Sequence, residues 1–182
     1  RDSHRVTNGR LSHEMLVRAA KSEGENLKAI DATAGMGEDG FLLAAYGYEV
    51  TLYEQNPVIA ALLKDALRRA KKHPVLKDIA ARMKLIEDDS VECLKKLMDP
   101  VNIIYLDPMF PERQKSGLIN KKLQLIQKLE PPCSEEKDLF NVAIKANPSK
   151  IIVKRPLKSV YLDGREPSYI CLLYTSDAAD EA

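Results

Sequence analysis

Five short runs of apolar and β-branched residues, separated by stretches with helical spacing, most constrain how this chain of 182 residues can fold. The runs predicted as strands cover 27–30, 49–53, 83–86, 101–106 and 151–153. Strands that alternate with helices are typical of βαβ units, in which a mostly parallel, twisted sheet carries helices on both faces. The sequence therefore predicts one α/β domain, and its length suffices for a sizeable core.

The intervals between these runs show helical periodicity. A first helix is predicted over 11–20, with Ser12 as its N-cap candidate and an end near Gly24. Asn56 followed by Pro57 begins a long helix. Its predicted buried stripe consists of Ile59, Leu62, Leu63, Ala66 and Leu67. The other predicted helices cover 41–46, 91–97 and 118–129, and a polar loop is predicted over 131–138.

Composition excludes several classes of protein. No apolar run approaches the roughly 18 residues of a membrane span, and the polar first residues are not a signal peptide. We therefore expect a soluble, cytoplasmic protein without a membrane partner. The three cysteines are scattered, and no CxxC or HxxxH spacing indicates a metal site, so no metal is expected.

A glycine-rich loop follows the first predicted strand. After Asp31 the sequence reads ATAGMGEDG, which places Gly35, Gly37 and Gly40 in the pattern G-x-G-x-x-G. Such glycines let the backbone approach a nucleoside closely, and an acid ending the second strand, here Glu54, accepts hydrogen bonds from ribose hydroxyls. A plain exposed strand end is the other interpretation of Glu54. The pattern leaves NAD and S-adenosylmethionine open as ligands.

Two details favour S-adenosylmethionine. A dinucleotide-binding turn follows its strand directly, whereas here Asp31 and three small residues precede the first glycine. The Asp31 carboxylate suits the ammonium group of the methyl donor, although it could instead cap or brace the loop. After the third strand, Asp89 and Ser90 are expected beside the adenine, and a helix N-cap is the other interpretation of Asp89.

The stretch DPMF, at 107–110, ends the fourth strand. Methylation of an exocyclic amine on a base needs hydrogen-bond acceptors, a flat apolar surface and a rigid backbone. Asp107 supplies a side-chain acceptor, Pro108 a carbonyl in a stiffened turn, and Phe110 a stacking surface. DPMF resembles the D/N-P-P-Y/F signature of amino-methyltransferases, with Met109 replacing the second proline. The alternative is a strand-ending turn with a core phenylalanine.

Cations follow this motif and the fifth strand. Arg113 and Lys115 come shortly after Phe110, and Lys154 and Arg155 end the fifth strand. We expect these four side chains to contact RNA phosphates, which give affinity without sequence information.

With these motifs the chain resembles the RsmJ (YhiQ) type of bacterial small-subunit ribosomal RNA guanine-N2 methyltransferases. The resemblance covers about 31–169 and rests on DATAGMGEDGFLLAAYGYEV, YEQNPVIAALL, YLDPMFPERQKSGL and IIVKRPLKS. It implies a Rossmann-like class I methyltransferase fold and the cofactor S-adenosyl-L-methionine. It also implies methylation of a guanine N2 amine in 16S ribosomal RNA, with ribosomal RNA or the small ribosomal subunit as partner. The donor-binding residues it implies are Glu38, Asp39, Glu54, Gln55, Asp89, Ser90 and Asp107.

The last residues, CLLYTSDAADEA, resemble a translated sequencing adapter. We therefore expect a methyltransferase domain over 1–170, truncated at both ends and lacking the family's closing C-terminal strands, and a non-native tail over 171–182. Without the acids of this tail the chain is mildly basic, which permits a nucleic-acid partner.

Three alternative functions remain open from the sequence. An N6-adenine or N4-cytosine nucleic-acid methyltransferase shares the same chemistry, because the signature recognises an amine and not a particular base. An NAD-dependent oxidoreductase is supported by the literal G-x-G-x-x-G. A non-catalytic RNA-binding module would retain the cations without methyl transfer.

Overall fold

The computed structural model describes residues 10–108, 136–156 and 161–170. Within these ranges the strands are β1 (Lys28–Asp31), β2 (Glu49–Tyr53), β3 (Met83–Ile86), β4 (Ile103–Leu106) and β5 (Lys150–Val153). They form one sheet in the order β3-β2-β1-β4-β5, and every neighbouring pair is parallel. The predicted parallel α/β fold is therefore confirmed.

Helices connect these strands. The α-helices of the described ranges are α1 (Met15–Ala19), α2 (Glu38–Tyr46), α3 (Pro57–Ala70), α4 (Lys77–Ala81), α5 (Ser90–Lys95) and α6 (Glu136–Lys145). Short 3-10 helices cover Arg10–His13 and Leu162–Gly164. No helix in the described part of the chain combines the length and the apolar content needed to cross a membrane.

Two apolar clusters cover the two faces of the sheet. Alternate residues of each strand point to opposite faces, so Ile103 and Ile104 of β4 belong to different clusters. The first cluster contains residues of α2, α3 and α4, and the second contains residues of α5 and α6. This two-sided burial holds the central strands rigidly and fixes where their carboxyl ends lie.

The start of α3 confirms a predicted cap. The Asn56 side chain accepts hydrogen bonds from the backbone N–H groups of Val58 and Ile59, and Pro57 occupies the first turn. The predicted buried stripe is wrong at Leu62, whose side chain is 49% exposed, while Ala60 is buried in its place. Because α3 packs on the sheet along one narrow side, Leu62 faces away from the core.

Other predicted boundaries also change. The helix predicted over 11–20 is a 3-10 helix followed by the five-residue α1, which ends at Ala19 and not near Gly24. Ser12 lies inside the 3-10 helix, and Glu14 occupies the N-cap position of α1. The loop predicted over 131–138 is wrong from Glu136 onward, where α6 begins. The helix predicted over 118–129 lies outside the described residues.

Candidate active site

The candidate site lies at the carboxyl edge of the sheet, where β1 and β4 are neighbours. The chain passes outward from β1 to β2 and β3 and then returns to β4 on the other side of β1. Ligands of open α/β sheets bind in the crevice at such a reversal of strand order. Asp31, Glu54 and Asp107, which end or follow β1, β2 and β4, therefore lie at one edge of the sheet.

The glycine-rich loop after β1 is hydrogen-bonded to both neighbouring strands. The Ala32 N–H donates to the Tyr105 carbonyl of β4 at 3.0 Å, and the Ala34 N–H donates to the Tyr53 carbonyl of β2 at 3.2 Å. The Asp107 N–H donates to the Thr33 hydroxyl oxygen at 2.7 Å. The loop and Asp107, which follows β4, thus form one hydrogen-bonded unit.

Glu54 is buried and braces this loop. It is 5% exposed, and its carboxylate accepts hydrogen bonds from the Gly35 N–H at 3.0 Å and the Asn56 N–H at 2.7 Å. This environment rules out the interpretation of Glu54 as an exposed strand end. The Glu54 carboxylate therefore ties the glycine-rich loop to the residue that caps α3.

The backbone at Gly35 suits a closely approaching ligand. Gly35 has φ +50°, and a Cβ added there would meet no atom within 4 Å. The loop therefore leaves open space at Gly35, next to the residue pair Gly35 and Glu54 that is joined by a hydrogen bond. Gly37, with φ +75°, is the N-cap residue of α2.

Asp31 is almost fully enclosed. It is 1% exposed, and its Oδ1 accepts a hydrogen bond from the Thr33 N–H at 3.1 Å. Burial raises the pKa of Asp31 to about 7, and the nearby Asp39 and Asp107 carboxylates add to the rise, while backbone hydrogen bonds from Thr33 and Gly40 oppose it. The hydrogen bond from Thr33 shows that Asp31 braces the loop, and the predicted contact of Asp31 with the donor stays a prediction.

A chain of polar contacts joins α2, β4 and β5. The Tyr105 hydroxyl donates to Asp39 Oδ2 at 2.7 Å, and the Lys154 ammonium donates to the same oxygen at 3.0 Å. Lys154 also donates to Asp107 Oδ2 at 2.8 Å. Burial raises the pKa of Asp107, and the Lys154 contact partly offsets that rise. Asp39, Asp107 and Lys154 therefore act electrostatically as one group.

Asp89 and Ser90 connect α5 to the same edge. Asp89 Oδ1 accepts from the N–H groups of Val91 at 2.8 Å and Glu92 at 3.0 Å, which confirms the N-cap interpretation. The Ser90 hydroxyl donates to the Ala32 carbonyl in the glycine-rich loop. Capping uses only one Asp89 oxygen in these bonds, so the cap does not exclude the predicted contact with adenine.

The remaining predicted residues have different outcomes. Glu38 and Gln55 are exposed, Glu38 in the first turn of α2 and Gln55 directly after Glu54. Pro108 is buried.

Arg155 pairs with Glu136 at the start of α6, with Nη1 3.1 Å from Oε1. Phe110, Arg113 and Lys115 lie outside the described residues.

Sequence reasoning missed two residues of the site. Thr33 accepts the hydrogen bond from Asp107, and Tyr105 donates to Asp39. Tyr105 stands two residues before Asp107, so strand alternation already puts both side chains on one face of the sheet. For Thr33 no comparable signal exists, because its partner is distant in sequence.

The comparison with protein families gives one model that matches residues 1–175, described as "Putative SAM-dependent methyltransferase". The chain is 39% identical over 169 residues to "Ribosomal RNA small subunit methyltransferase J" of Pseudomonas paraeruginosa, covering 92% of this chain and 65% of that protein. It is also 39% identical to the protein of that name from Stutzerimonas stutzeri, covering 66% of it. The chain thus spans about 65% of the length of these curated relatives.

A solved structure gives a similar result. The crystal structure of a SAM-dependent methyltransferase from Neisseria gonorrhoeae matches with a TM-score of 0.67 and 31% sequence identity. The match covers 92% of this chain and 65% of that one. Sequence and architecture therefore agree on the same group of proteins.

Proposed function

This chain belongs to the SAM-dependent methyltransferase family, and from that premise we propose that it methylates the exocyclic N2 amine of a guanine in small-subunit ribosomal RNA. The observation that carries the proposal is the hydrogen bond from the Asp107 N–H to Thr33 at 2.7 Å, which joins the donor loop to the amine-binding turn. Family membership favours S-adenosylmethionine over the NAD left open by G-x-G-x-x-G. Ribosomal RNA as the substrate follows the names of the curated relatives, and such a substrate implies action in the cytoplasm.

The donor would lie across the carboxyl edge of the sheet. Gly35 would let the backbone approach it, whereas a Cβ at Gly37 would lie 2.7 Å from Leu63 Cδ1, so packing accounts for that glycine. The buried Glu54 would accept hydrogen bonds from the donor's ribose, with Gln55 alongside. Asp89 and Ser90 would border the adenine. The methionine end would meet the first turn of α2, where Glu38 and Asp39 lie. Asp31 would contribute indirectly, because its hydrogen bond with the Thr33 N–H braces the loop.

Electrostatics support a cationic ligand at this edge. Asp31, Asp39 and Asp107 are close enough to influence one another, and Lys154 is the cation in contact with two of them in the described residues. Their excess negative charge attracts the sulfonium of the bound donor. Because the product lacks that charge, the same field would hold it less strongly than the donor.

Asp107 and Pro108 would position the target amine. Bound S-adenosylmethionine would supply a methyl group by in-line displacement: the N–C bond forms as the C–S bond breaks, S-adenosylhomocysteine leaves, and the amine then loses a proton to solvent. The guanine amine is a weak nucleophile because its lone pair is delocalised into the ring. The Asp107 carboxylate and the Pro108 carbonyl would accept its hydrogens and favour the pyramidal nitrogen of the transition state. Positioning therefore matters more than proton abstraction, and Phe110 is proposed to stack on the base.

Phosphate contacts are proposed for the cations near this turn. Arg113 and Lys115 follow the amine-binding turn in sequence and would approach the RNA backbone. Arg155 would contact phosphate only where its pairing with Glu136 leaves donors accessible. Lys154 instead contacts two site carboxylates.

The experiment uses labelled S-adenosylmethionine with small ribosomal subunits, and separately their free RNA, from cells lacking N2-methylguanosine. The labelled nucleoside is identified by mass spectrometry after digestion. N2-methylguanosine is the expected product. Labelled N6-methyladenosine or N4-methylcytidine would replace the assigned base by one of the alternatives. Donor binding without any label would support a non-catalytic RNA-binding module and contradict the proposal.

A further inference from the structure

Lys154 lies at the centre of the polar contacts described above. It follows β5 directly, and its ammonium donates to Asp39 Oδ2 from α2 and to Asp107 Oδ2 after β4. One cation thus bridges two carboxylates that come from distant parts of the sequence. A surface lysine that served only phosphate binding would have no need of such a bridge.

The bridge is anchored on its far side. The Tyr105 hydroxyl, from a residue only 1% exposed, donates to the same Asp39 oxygen that Lys154 contacts. Asp39 is therefore held by the buried end of β4 and by the first turn of α2. Through Lys154 this fixed carboxylate determines where the Asp107 carboxylate lies.

The groups that face Asp107 come from every described element around it. β1 contributes the buried Asp31, α2 contributes Asp39, β4 contributes Tyr105, and β5 contributes Lys154, while Thr33 of the loop holds the Asp107 backbone. Burial raises the pKa of Asp107 and the Asp39 carboxylate adds to the rise, whereas the contact with Lys154 lowers it. Lys154 is thus the described group whose positive charge opposes protonation of Asp107.

We infer that Lys154 is a positioning residue for methyl transfer, which clamps Asp107 in its ionised form with one oxygen held and the other directed at the target amine. The inference rests on the proposed function. A protonated Asp107 would present an O–H donor where the amine also presents donors, and orientation of the amine would fail. Without the clamp, the carboxyl group would also rotate freely.

The rival role is a phosphate contact. The Lys154 side chain is 58% exposed, so RNA can reach it. A phosphate contact contributes uniformly to RNA affinity, and its loss reduces the salt dependence of binding by about one charge. A clamp on Asp107 instead changes the rate of transfer and its pH dependence, so the two roles give different kinetics.

The first test compares Lys154→Met, Lys154→Arg and the matched control Lys95→Met. Lys95 also pairs with a carboxylate, Glu92 at 2.7 Å, but on an exposed helix. We expect Lys154→Met to lower kcat roughly 10- to 100-fold at neutral pH. The acidic limb of the plot of kcat against pH should move to higher pH by about one unit. KM for RNA should stay within about threefold of the wild-type value. The slope of RNA affinity against salt concentration should stay the same as in the wild type. Lys154→Arg should restore most of the pH profile, and Lys95→Met should match the wild type.

The second test needs no RNA. Carbon-13 NMR of labelled aspartate carboxyl groups in the whole chain follows the titration of Asp107, whose signal is assigned from its loss in Asp107→Asn. Lys154→Met should move that midpoint upward by about one unit or more, with thermal unfolding checking the fold. An unchanged midpoint, or an effect confined to KM for RNA and its salt dependence, would overturn the inference. A wild type that binds donor but methylates no RNA would contradict the proposed function. The titration would still show whether Lys154 holds Asp107 in its ionised form.

Discussion

The Thr33 hydroxyl accepts a hydrogen bond from the backbone N–H of Asp107 at 2.7 Å, and this bond joins two motifs that lie 74 residues apart. Thr33 belongs to the loop that receives the donor in our account, and Asp107 begins the turn that receives the amine. Transfer requires the methyl carbon and the nitrogen to meet in line, and a misplacement of about 1 Å can cost roughly 100-fold in rate. The bond therefore fixes the distance between the two half-sites.

Thr33→Val tests this coupling, because valine keeps the shape and removes the hydroxyl. We expect kcat to fall about tenfold or more, since small misplacements of reacting groups are costly. Donor affinity should change less than about threefold, and the unfolding free energy should fall by about 1–2 kcal/mol from the unpaired N–H. Thr33→Ser, which keeps the hydroxyl, is the control. Equal kcat values for the valine and serine variants would show that the bond has no role in transfer.

The sequence predicted the sheet well because each strand carries its own local signal. The runs at Glu49–Tyr53 and Met83–Ile86 match the observed strands residue for residue. Asn56 and Pro57 marked the start of α3 correctly, since a cap depends on neighbours in sequence. Features that depend on local hydrogen bonds and on strand alternation could therefore be predicted from the sequence.

The failures have tertiary causes. The segment at 136–138 is rich in charge and looked like a loop, yet Leu139, Val142 and Ala143 bury one side of α6 against the sheet. The five-residue α4 is too short for periodicity to reveal. The pairing of Lys154 with Asp39 and Asp107 joins three distant segments, and no pattern within any one of them predicts it.

Asp31 should make the stability of the protein depend on pH. Because burial raises its folded-state pKa from 3.8 to about 7, the folded state holds its proton more tightly than the unfolded state. Its stabilising contribution is complete below the unfolded pKa and is lost as pH rises through about 7.

Asp31→Asn removes this titration. From pH 5 to pH 8, the unfolding free energy of the wild type should fall relative to that of the variant by roughly 3 kcal/mol, so the variant gains relative stability. Urea unfolding at both pH values measures the difference, and any constant cost of the amide cancels. A difference that is the same at the two pH values would contradict a raised pKa for Asp31.

Gly40 is required by close packing and not by its backbone angles. A Cβ at this position of α2 would lie 2.4 Å from Leu52 Cδ2 and 3.1 Å from Asp31 Oδ2. Alanine normally stabilises a helix interior relative to glycine by about 0.5–1 kcal/mol. Here we expect Gly40→Ala to destabilise by about 1–3 kcal/mol, because Leu52 is fully buried and has little room to move.

A double-mutant cycle with Leu52→Ala provides the check for Gly40. In the Leu52→Ala background the clash with Cδ2 is gone, so Gly40→Ala should become close to neutral. Thermal and urea unfolding of the four proteins give the coupling. Additive effects would mean that the contact between α2 and β2 does not explain the glycine.

Glu54 has a structural and a proposed ligand role that can be separated. Glu54→Ala removes the acceptor of two N–H groups, so the unfolding free energy should fall by about 2–4 kcal/mol and donor affinity by about tenfold or more. Glu49→Ala, at the exposed start of the same strand, is the control and should have little effect on either. Calorimetric titration with S-adenosylmethionine and urea unfolding provide the two measurements. Unchanged donor affinity in a folded Glu54→Ala protein would exclude Glu54 from the donor site.

The proposed function depends on the Asp107 carboxylate, which would position the target amine beside the donor. The most direct measurement is the single-turnover rate of methyl transfer to small-subunit ribosomal RNA by Asp107→Ala and wild type, at saturating S-adenosylmethionine. We expect a rate lower by about 100- to 1,000-fold in a variant whose fold is intact by thermal unfolding. A folded variant that transfers methyl at nearly the wild-type rate would contradict it.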